Sequence, residues 1–396
     1  MRLCFVVQRY GAEVAGGAEQ LCREYATRMV ARGHEVDVLT SCAASYVDWA
    51  NAYAPGTEDI NGVTVHRLPV AHPRDHQVFG GLQHRVLIGH KPVPHLLQRE
   101  WMRQQGPLVP DLPAWLEDRA GGYDVVVFFT YLYWTTWAGM PVSARLAPTL
   151  LHPTAHDEPP IYLHLYEGLF RHPHAFGFLV EEEAAFVEQR FRLRRPSAVL
   201  GIGVDLEAEG DGNRFRTTYG LGDRPYLLYV GRVDPHKGSD ELYDQFVAYK
   251  QRRPGPLALV FLGEPVKPVP RHPDVFVTGF VGPEVPADAV AGCLALAHPG
   301  YFESFSMVLT EAWAQRKPAI VQGHCAVLDG QARRSGGAVP YRGFAEFEAA
   351  VDLLSGDAGL AAALGQSGRR YVEDRYRWDE VLGRYERLLE RTATVL

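Results

Sequence analysis

Short apolar runs alternate along the chain with segments that repeat apolar side chains at helical spacing. The first unit is a run at 3–7, a helical pattern at 18–32 that Gly33 would end, and a second run at 36–40. Unbroken short runs are typical of strands buried on both faces, as in parallel sheets. The pattern therefore predicts that the chain begins with a βαβ unit.

The same alternation continues on both sides of a polar stretch near residue 210. Further strands are predicted at 63–70, 124–129, 149–152 and 175–180 before it, and at 226–230, 257–262, 275–277 and 294–297 after it. The clearest helices of the second half are 240–252 and 307–315. Strands that alternate with helices indicate parallel sheets covered by helices, so the predicted class is α/β with two Rossmann-like domains.

Interruptions of this pattern set the predicted domain limits. The first domain is 1–206 and includes an insertion at about 71–122, where proline, histidine and arginine weaken the signal. Residues 207–213 have no periodicity and mark a linker, so the second domain is 207–375. The last segment, 376–396, carries one apolar stripe and is predicted to be a helix that crosses back to the first domain.

Composition narrows the class of protein. At 396 residues, with 46% hydrophobic and 22% charged residues, the chain has the size and balance of two ordinary globular domains. A formal net charge of −7 argues against a general nucleic-acid binder. The five cysteines form no CxxC pair, so neither a disulfide framework nor a zinc site is expected.

No apolar run is long enough to predict export or membrane insertion. The run at 3–7 is shorter than the apolar core of a signal peptide, and none approaches the ~20 residues of a membrane span. We therefore expect a cytoplasmic monomer or homodimer with no nucleic-acid partner and no integral membrane segment. A basic stretch at 66–103 is read as a solvated loop face, with peripheral contact to a membrane or an anionic acceptor left open.

Two cations follow the predicted strand 226–230. Arg232 and Lys237 lie five residues apart in a loop that leads into a helix, and ligands of open α/β sheets bind where such loops leave the strands. Arg232 offers a two-pronged donor to phosphate oxygens, Lys237 adds a point charge, and the helix N-terminus adds partial positive charge. This pattern favours a diphosphate ligand, although either side chain taken alone would also fit a solvated loop.

Two carboxylates follow the predicted strand 294–297. Glu303 and Glu311 lie eight positions apart, about two helical turns, with possible helix caps at Ser304 and Ser306 between them. A carboxylate that accepts hydrogen bonds from adjacent hydroxyls discriminates strongly for ligands such as a ribose or a sugar. Two such carboxylates beside a diphosphate site predict a nucleotide sugar as ligand.

The first half offers two further candidate loops. Gly16 and Gly17 follow the first strand and would let a ligand approach the backbone closely, although a simple strand-to-helix turn also explains them. They lack the GxGxxG spacing of dinucleotide folds, which argues against a dehydrogenase. His156 follows the strand at 149–152 and is interpreted either as a sugar-positioning residue or as a structural histidine, with Asp157 beside it to fix its tautomer.

Taken together, these motifs resemble glycosyltransferase family 4. The resemblance rests on the Glu-x7-Glu pattern, the Arg…Lys loop and the segment Ala15-Gly16-Gly17-Ala18-Glu19, and it covers nearly the whole chain. It implies the GT-B fold, in which two Rossmann-like domains with parallel sheets face each other across a cleft. It also implies a retaining glycosyltransferase that needs neither a cofactor nor a metal and takes its sugar from a nucleoside-diphosphate sugar.

The resemblance assigns roles residue by residue. The residues implied to be catalytic are Glu303, His156, Arg232 and Lys237. The residues implied to bind the donor are Gly16, Gly17, Arg232, Lys237, Gly279, Phe280, Ser304, Phe305, Ser306 and Glu311. Within these sets the cations hold the diphosphate, Glu311 the ribose and Glu303 the sugar, and the segment at 277–280 receives the base. The residues expected on the acceptor side are Asp157, Tyr131 and Tyr133.

One departure from the family keeps the donor open. The loop of the first glutamate commonly reads Glu-Gly-Phe-Gly, whereas Ser304 and Ser306 occupy the glycine positions here. The base, the sugar and the acceptor stay unassigned, the acceptor being a specialised metabolite or a precursor of a surface polysaccharide or glycolipid. A GT-B nucleotide-sugar epimerase and a non-catalytic nucleotide-sugar-binding protein are the alternatives.

Overall fold

The computed structural model describes residues 1–14, 16–89, 92–207 and 209–395. These residues pack into two compact units. The first contains Met1–Leu200 and the chain from Leu382 onward, and the second is Gly201–Val381. Each unit is an α/β layer with its own sheet, so the predicted fold class is confirmed.

The sheet of the first unit has, among the described residues, eight strands in the order β3-β4-β2-β1-β5-β6-β7-β8. The strands are β1 Arg2–Val6, β2 Glu35–Ser41, β3 Gly56–Ile60, β4 Val63–Leu68, β5 Val125–Phe129, β6 Thr149–His152, β7 Ala175–Phe178 and β8 Ser197–Val199. All neighbours pair in parallel except β3 and β4, which form an antiparallel hairpin. The edge strand β3 is mostly exposed and carries glycine and acidic residues, and for that reason the sequence pattern missed it.

The helices of the first unit flank this sheet. They are α1 Gly17–Ala31, α2 His76–Gln83, α3 His95–Gln105, α4 Leu112–Arg119, α5 Trp134–Ser143, α6 His164–Leu169 and α7 Glu181–Phe191. The central strand β1 pairs with β2 and β5, with Leu3 opposite Val36 and Val125. Residues Leu3 to Val6 are fully buried, and the βαβ unit predicted at the start of the chain is confirmed.

The segment predicted to be an insertion, 71–122, is more ordered than its sequence indicates. Its described residues contain α2, α3 and α4, and a π-helical turn at His84–Ile88 extends α2. Asp75 caps α2 by accepting hydrogen bonds from the N–H groups of Gln77 and Val78. Trp101 and Leu112 are buried in the core of the first unit. Tertiary packing therefore overrides the weak helical pattern of this segment.

The described part of the second unit contains a six-stranded parallel sheet in the order β11-β10-β9-β12-β13-β14. The strands are β9 Tyr226–Val230, β10 Ala258–Leu262, β11 Val275–Val277, β12 Ala295–His298, β13 Ala319–Gln322 and β14 Ala338–Tyr341. The helices are α8 Gly212–Thr218, α9 Ser239–Arg252, α10 Val285–Gly292, α11 Met307–Ala314, α12 Ala326–Ser335, α13 Phe344–Gly356 and α14 Ala358–Arg375. The strand order reverses between β9 and β12, and ligands of such sheets bind at that switch point.

The linker and the C-terminal segment predicted from the sequence both have a structural counterpart. Of the stretch interpreted as a linker, 207–213, the described residues 209–213 lead into α8. Asp211 caps that helix by accepting hydrogen bonds from the N–H groups of Asn213 and Arg214. The final helix, α15 Trp378–Ala393, buries the apolar stripe seen in the sequence, including Tyr385 and Leu388. Within the described chain no helix combines the length and apolar content needed to cross a membrane.

Small residues bring α14 close to α11. A Cβ atom at Gly368 would lie 2.2 Å from Cδ1 of Trp313, which is fully buried in α11. The Trp313 indole N–H donates to the Gly337 carbonyl at 2.8 Å, so the ring has little freedom to move away. Because α11 also carries Glu311, the packing of α14 against Trp313 helps to hold the helix that bears this predicted site residue.

We predict that Gly368→Ala destabilises the protein by about 1–3 kcal/mol, the usual cost of overpacking a rigid contact. Gly356→Ala, in the last turn of α13, is the control, since a Cβ there would meet no described atom within 4 Å outside its own helix. The control should be neutral or slightly stabilising because alanine favours helix. Chemical denaturation of both variants measures the difference, and equal stabilities would contradict the packing described.

Candidate active site

The loop that leaves β9 carries the two predicted cations. Asp234 organises it by accepting the His236 N–H at 3.0 Å, which starts a 3₁₀ turn at Pro235–Lys237. An Arg232 guanidinium nitrogen lies 2.6 Å from Oδ2 of Asp234, which is 5% exposed. The Arg232 and Lys237 side chains are nearly half exposed, so both remain accessible to an anion.

The loop that leaves β12 meets this cationic loop. Gly238 has φ +77°, and a Cβ there would lie 2.5 Å from the Pro299 carbonyl oxygen, so only glycine allows this approach. Nζ of Lys237 lies 3.1 Å from Oε1 of Glu303. The structure therefore brings together Lys237 and Glu303, which are 66 residues apart in sequence.

His298, which the sequence pattern did not single out, lies beside Glu303. His298 ends β12, is 9% exposed, and places its Nε2 3.8 Å from Oε1 of Glu303. Burial lowers the pKa of His298, while the Glu303 carboxylate opposes that shift. The available signal was an ionisable residue directly after the predicted apolar run 294–297. The pattern of apolar residues alone gave this histidine no role.

Ser306 begins α11 in an unusual way. It occupies the N-cap position with φ +70°, and its side chain makes no capping hydrogen bond. Its hydroxyl is buried and finds no hydrogen-bond partner among the described residues. The capping role that the sequence predicted for Ser304 and Ser306 is therefore wrong for Ser306. The left-handed backbone explains why glycine is common at this position in the family it resembles.

Phe305 and Glu311 lie on either side of this turn. Phe305 is 2% exposed, packs edge-on against Tyr376 at 5.1 Å, and has its carbonyl bound by the Gln331 amide. Its side chain thus packs in the core beneath the loop, and its predicted contact with the donor stays a prediction. Glu311 lies on α11 and is partly exposed.

The segment predicted to receive a base is bonded directly to the neighbouring strand end. Gly279 has φ +71°, and the Phe280 ring is 84% exposed. The Phe280 N–H donates to Oε2 of Glu264 at 3.1 Å, and the Glu264 carbonyl accepts the Val233 N–H at 3.0 Å. Backbone and side-chain bonds thus connect this segment to the cationic loop.

The glycine loop of the first unit is supported by a buried ion pair. Nε of Arg9 donates to Oε1 of Glu19 at 2.8 Å, and both side chains are almost fully buried. A Cβ at Gly16, which has φ +154°, would lie 2.2 Å from Oε2 of Glu19. A Cβ at Gly17 would meet no described atom within 4 Å, so this glycine borders open space.

His156 follows β6 and is partly exposed. Its Nδ1 lies 3.4 Å from Oε1 of Glu158, a carboxylate that the sequence analysis did not consider. Asp157, the residue expected to fix the tautomer, is exposed and accepts a hydrogen bond from the Tyr162 hydroxyl at 2.6 Å. Glu158 is therefore the carboxylate that the structure places against the ring.

The two tyrosines expected on the acceptor side differ in exposure. Tyr131 is fully buried and donates its hydroxyl to Oε1 of Glu158 at 2.9 Å, so its predicted contact with an acceptor is wrong. Tyr133 is partly exposed and packs edge-on against Trp49 at 5.5 Å. The aromatic run continues into α5 at Trp134, and tertiary packing, which a local pattern does not contain, determines which rings are covered.

Glu183 supports the His156 loop from the first turn of α7. Its two carboxyl oxygens accept the Ala155 N–H at 2.8 Å and the Leu179 N–H at 2.6 Å. Burial raises the pKa of Glu183 to about 8, against an ordinary value of 4.5. Glu183 therefore connects the loops that follow β6 and β7.

Two family models match the chain in succession. The model described as "Glycosyl transferase 4-like domain" matches residues 16–208, and that described as "Glycosyl transferases group 1" matches residues 213–371. Together they cover both units, and the chain belongs to the glycosyltransferases of the family 4 type, which are enzymes with the GT-B fold.

Curated relatives and solved structures agree with this family. The chain is 31% identical to the GDP-mannose-dependent α-(1-6)-phosphatidylinositol monomannoside mannosyltransferase of Mycolicibacterium smegmatis, over 46% of this chain and 54% of that protein, about half its length. It is 22% identical to an uncharacterized glycosyltransferase of Methanocaldococcus jannaschii over 96% of both chains. Sucrose-phosphate synthase from Thermosynechococcus elongatus superposes with a TM-score of 0.72 at 17% identity over 98% of both chains. Anabaena HepE in complex with UDP and glucose superposes with a TM-score of 0.68 at 16% identity over 100% of both.

We predict that Glu183 makes the folded protein less stable as pH rises. The folded state keeps the proton up to about pH 8 while the unfolded state releases it near 4.5, so the free energy of unfolding falls between these values. Glu183→Gln should flatten this slope between about pH 5 and 8, and Glu182→Gln on the same helix is the control. Thermal unfolding across this range measures both, and a wild-type slope that Glu183→Gln leaves unchanged would refute the assignment.

Proposed function

We propose that this glycosyltransferase moves a sugar from a nucleoside-diphosphate sugar to a small-molecule or glycan acceptor, with retention of configuration and without a metal ion. The observation that carries the proposal is the meeting of the loops after β9 and β12. This meeting sets Lys237, on the same loop as Arg232, beside Glu303 at the switch point of the second sheet. Cations next to a carboxylate suit a ligand that joins a diphosphate to a polyol.

The two cations have a catalytic role in this proposal. As the glycosidic bond breaks, negative charge grows on the departing diphosphate, and fixed positive groups stabilise that charge most in the transition state. Arg232 and Lys237 are accessible cations on one short loop, so they offer this stabilisation without a metal. In front-face substitution the leaving phosphate itself helps to accept the proton of the acceptor, which is the retaining pathway that we propose.

The remaining residues are proposed to contact different parts of the donor or the acceptor. Glu311 is proposed to accept hydrogen bonds from the ribose hydroxyls, and Glu303 from the hydroxyls of the transferred sugar. The exposed Phe280 and the backbone near Gly279 are proposed to receive the base. His156, beside Glu158, is proposed to bind a sugar hydroxyl or to orient the acceptor.

The choice of donor and the compartment are also part of the proposal. One relative is named for GDP-mannose and one structural neighbour was solved with UDP and glucose, so guanine and uracil nucleotides are the first donors to test. The acceptor of that relative is a phosphatidylinositol mannoside by its name, which supports glycolipid or glycan precursors beside specialised metabolites. All five cysteines lie within the described residues and form no disulfide there, which supports a cytoplasmic protein.

A thermal-shift screen of UDP, GDP, dTDP and ADP tests the proposed donor site. Binding to the folded state stabilises it by RT ln(1 + [L]/Kd), about 2.7 kcal/mol at one hundred times Kd, so the matching diphosphate should stand apart. The sugar nucleotide of that base is then incubated with and without candidate acceptors. Acceptor-dependent release of the diphosphate supports transfer. Conversion of the donor to an epimer, or stabilisation by none of the four, would overturn the proposal.

We predict that Glu311→Ala and Glu303→Ala affect different steps. Glu311→Ala should weaken binding of the nucleoside diphosphate, because the ribose loses its carboxylate. Glu303→Ala should not weaken that binding, and it should lower kcat because the lost contact is to the transferring sugar. Calorimetry with the diphosphate and steady-state rates measure these effects, with Glu348→Ala, a carboxylate on α13 paired with Arg252, as the control. Equal changes in KM with no change in kcat for both variants would contradict this division.

A further inference from the structure

One oxygen of Glu303 has two nitrogen neighbours from different elements. Oε1 lies 3.1 Å from Nζ of Lys237, on the loop after β9, and 3.8 Å from Nε2 of His298, at the end of β12. The Glu303 side chain is 16% exposed, whereas Lys237 is 46% exposed. A buried and an accessible group therefore share the same carboxylate.

The backbone fixes which nitrogen of His298 carries the proton. The Gly300 N–H donates to Nδ1 at 3.3 Å, so Nδ1 is an acceptor and the proton of the neutral ring is on Nε2. Nε2 is the nitrogen that faces Glu303. Burial lowers the pKa of His298, which keeps the ring neutral and this tautomer in place at neutral pH.

Close packing around Gly300 keeps the ring and the carboxylate together. A Cβ at Gly300 would lie 3.0 Å from Cε1 of His298 and 3.4 Å from Oε1 of Glu303, so a larger residue would press on both. His298 itself is 9% exposed and ends a strand held on both sides by β9 and β13. The histidine is a rigid support, whereas Lys237 is a flexible side chain at the surface.

Lys237 has two competing partners under the proposed function. It is paired with Glu303 in the structure and is also one of two cations available for a diphosphate. A diphosphate carries more charge than a carboxylate and would draw the ammonium towards it. Glu303 would then lose its lysine contact at the moment when it must hold the sugar.

We propose that His298 is a positioning residue that holds the Glu303 carboxylate in place when the donor diphosphate draws Lys237 away. The inference rests on the proposed function, because it needs a diphosphate to compete for Lys237. The histidine would not touch the donor. It acts through Glu303, so it should contribute to binding of the donor's sugar and not to binding of the donor's nucleotide.

Two amide substitutions separate the two polar contacts of His298, which are the hydrogen bond from the Gly300 N–H and the 3.8 Å approach of Nε2 to Glu303. The Gln amide nitrogen reaches the place of Nε2, so His298→Gln keeps a donor for Glu303. His298→Asn is shorter and keeps only an acceptor near Nδ1 for the Gly300 N–H. A purely structural histidine would need the Gly300 bond, and His298→Asn would then be the milder change. A positioning role for Glu303 makes His298→Gln the milder change.

Calorimetry first establishes whether wild-type protein binds the pair GDP and GDP-mannose or the pair UDP and UDP-glucose. The Kd values of both members of the pair that binds are then measured for each variant. His298→Asn should weaken binding of the sugar nucleotide about tenfold, because the Glu303 carboxylate loses a polar neighbour, and should leave binding of the free diphosphate unchanged. His298→Gln should keep most of the wild-type affinity. His324→Asn, at an exposed histidine, is the control and should change neither value. Thermal unfolding of each variant establishes that it is folded.

A second variant tests the competition for Lys237 without altering His298. Glu303→Gln removes the negative charge that pairs with Lys237, so the free diphosphate should bind several-fold more tightly than to wild type. The proposal is overturned if His298→Asn weakens the diphosphate and the sugar nucleotide equally, if His298→Gln is the worse variant, or if Glu303→Gln does not tighten the diphosphate. Failure of every diphosphate to bind wild-type protein would instead overturn the proposed function, and this inference with it.

Discussion

The candidate donor site depends on one close backbone contact, that of Gly238 against the Pro299 carbonyl. A Cβ at this glycine would lie 2.5 Å from that oxygen, so any other residue would push the loops after β9 and β12 apart. The contact lies where the strand order reverses, between β9 and β12, and ligands of open α/β sheets bind at such a switch point. It keeps Lys237 within 3.1 Å of Glu303 and so turns two separate loops into one charged surface.

The sequence contained enough to predict the architecture and the residue types of this surface. Parallel strands buried on both faces have an apolar signature, and β6, β9 and β11 begin and end where the runs do. The cations and glutamates were found because each follows such a strand. The edge strand β3 and the helices within 71–122 were missed or seen only as fragments, because their pattern is polar and tertiary packing stabilises them.

A local sequence pattern could not predict which residues contact the site residues in the folded protein. Glu158 against His156, Glu183 below Ala155 and His298 against Glu303 are contacts whose energies depend on distance and burial in the folded protein. Spacing in the sequence predicted Asp157 and Tyr131 for roles that the fold gives to Glu158 or removes by burial. Such residues became visible only once burial and tertiary contacts were known, since their neighbours come from other elements.

The charges of the donor loops are already paired before any ligand arrives. Arg232 lies against Asp234 and Lys237 against Glu303, and in each pair the carboxylate is more buried than the cation. In the proposed donor complex, the exposed cations would exchange these partners for the diphosphate while the carboxylates stay in place. Asp234 keeps its bond to the His236 N–H, and Glu303 keeps His298 beside it. In the proposed complex this exchange would lower the affinity for the diphosphate. The loss of the lysine contact at Glu303 would favour a ligand that brings hydroxyl groups with its phosphates.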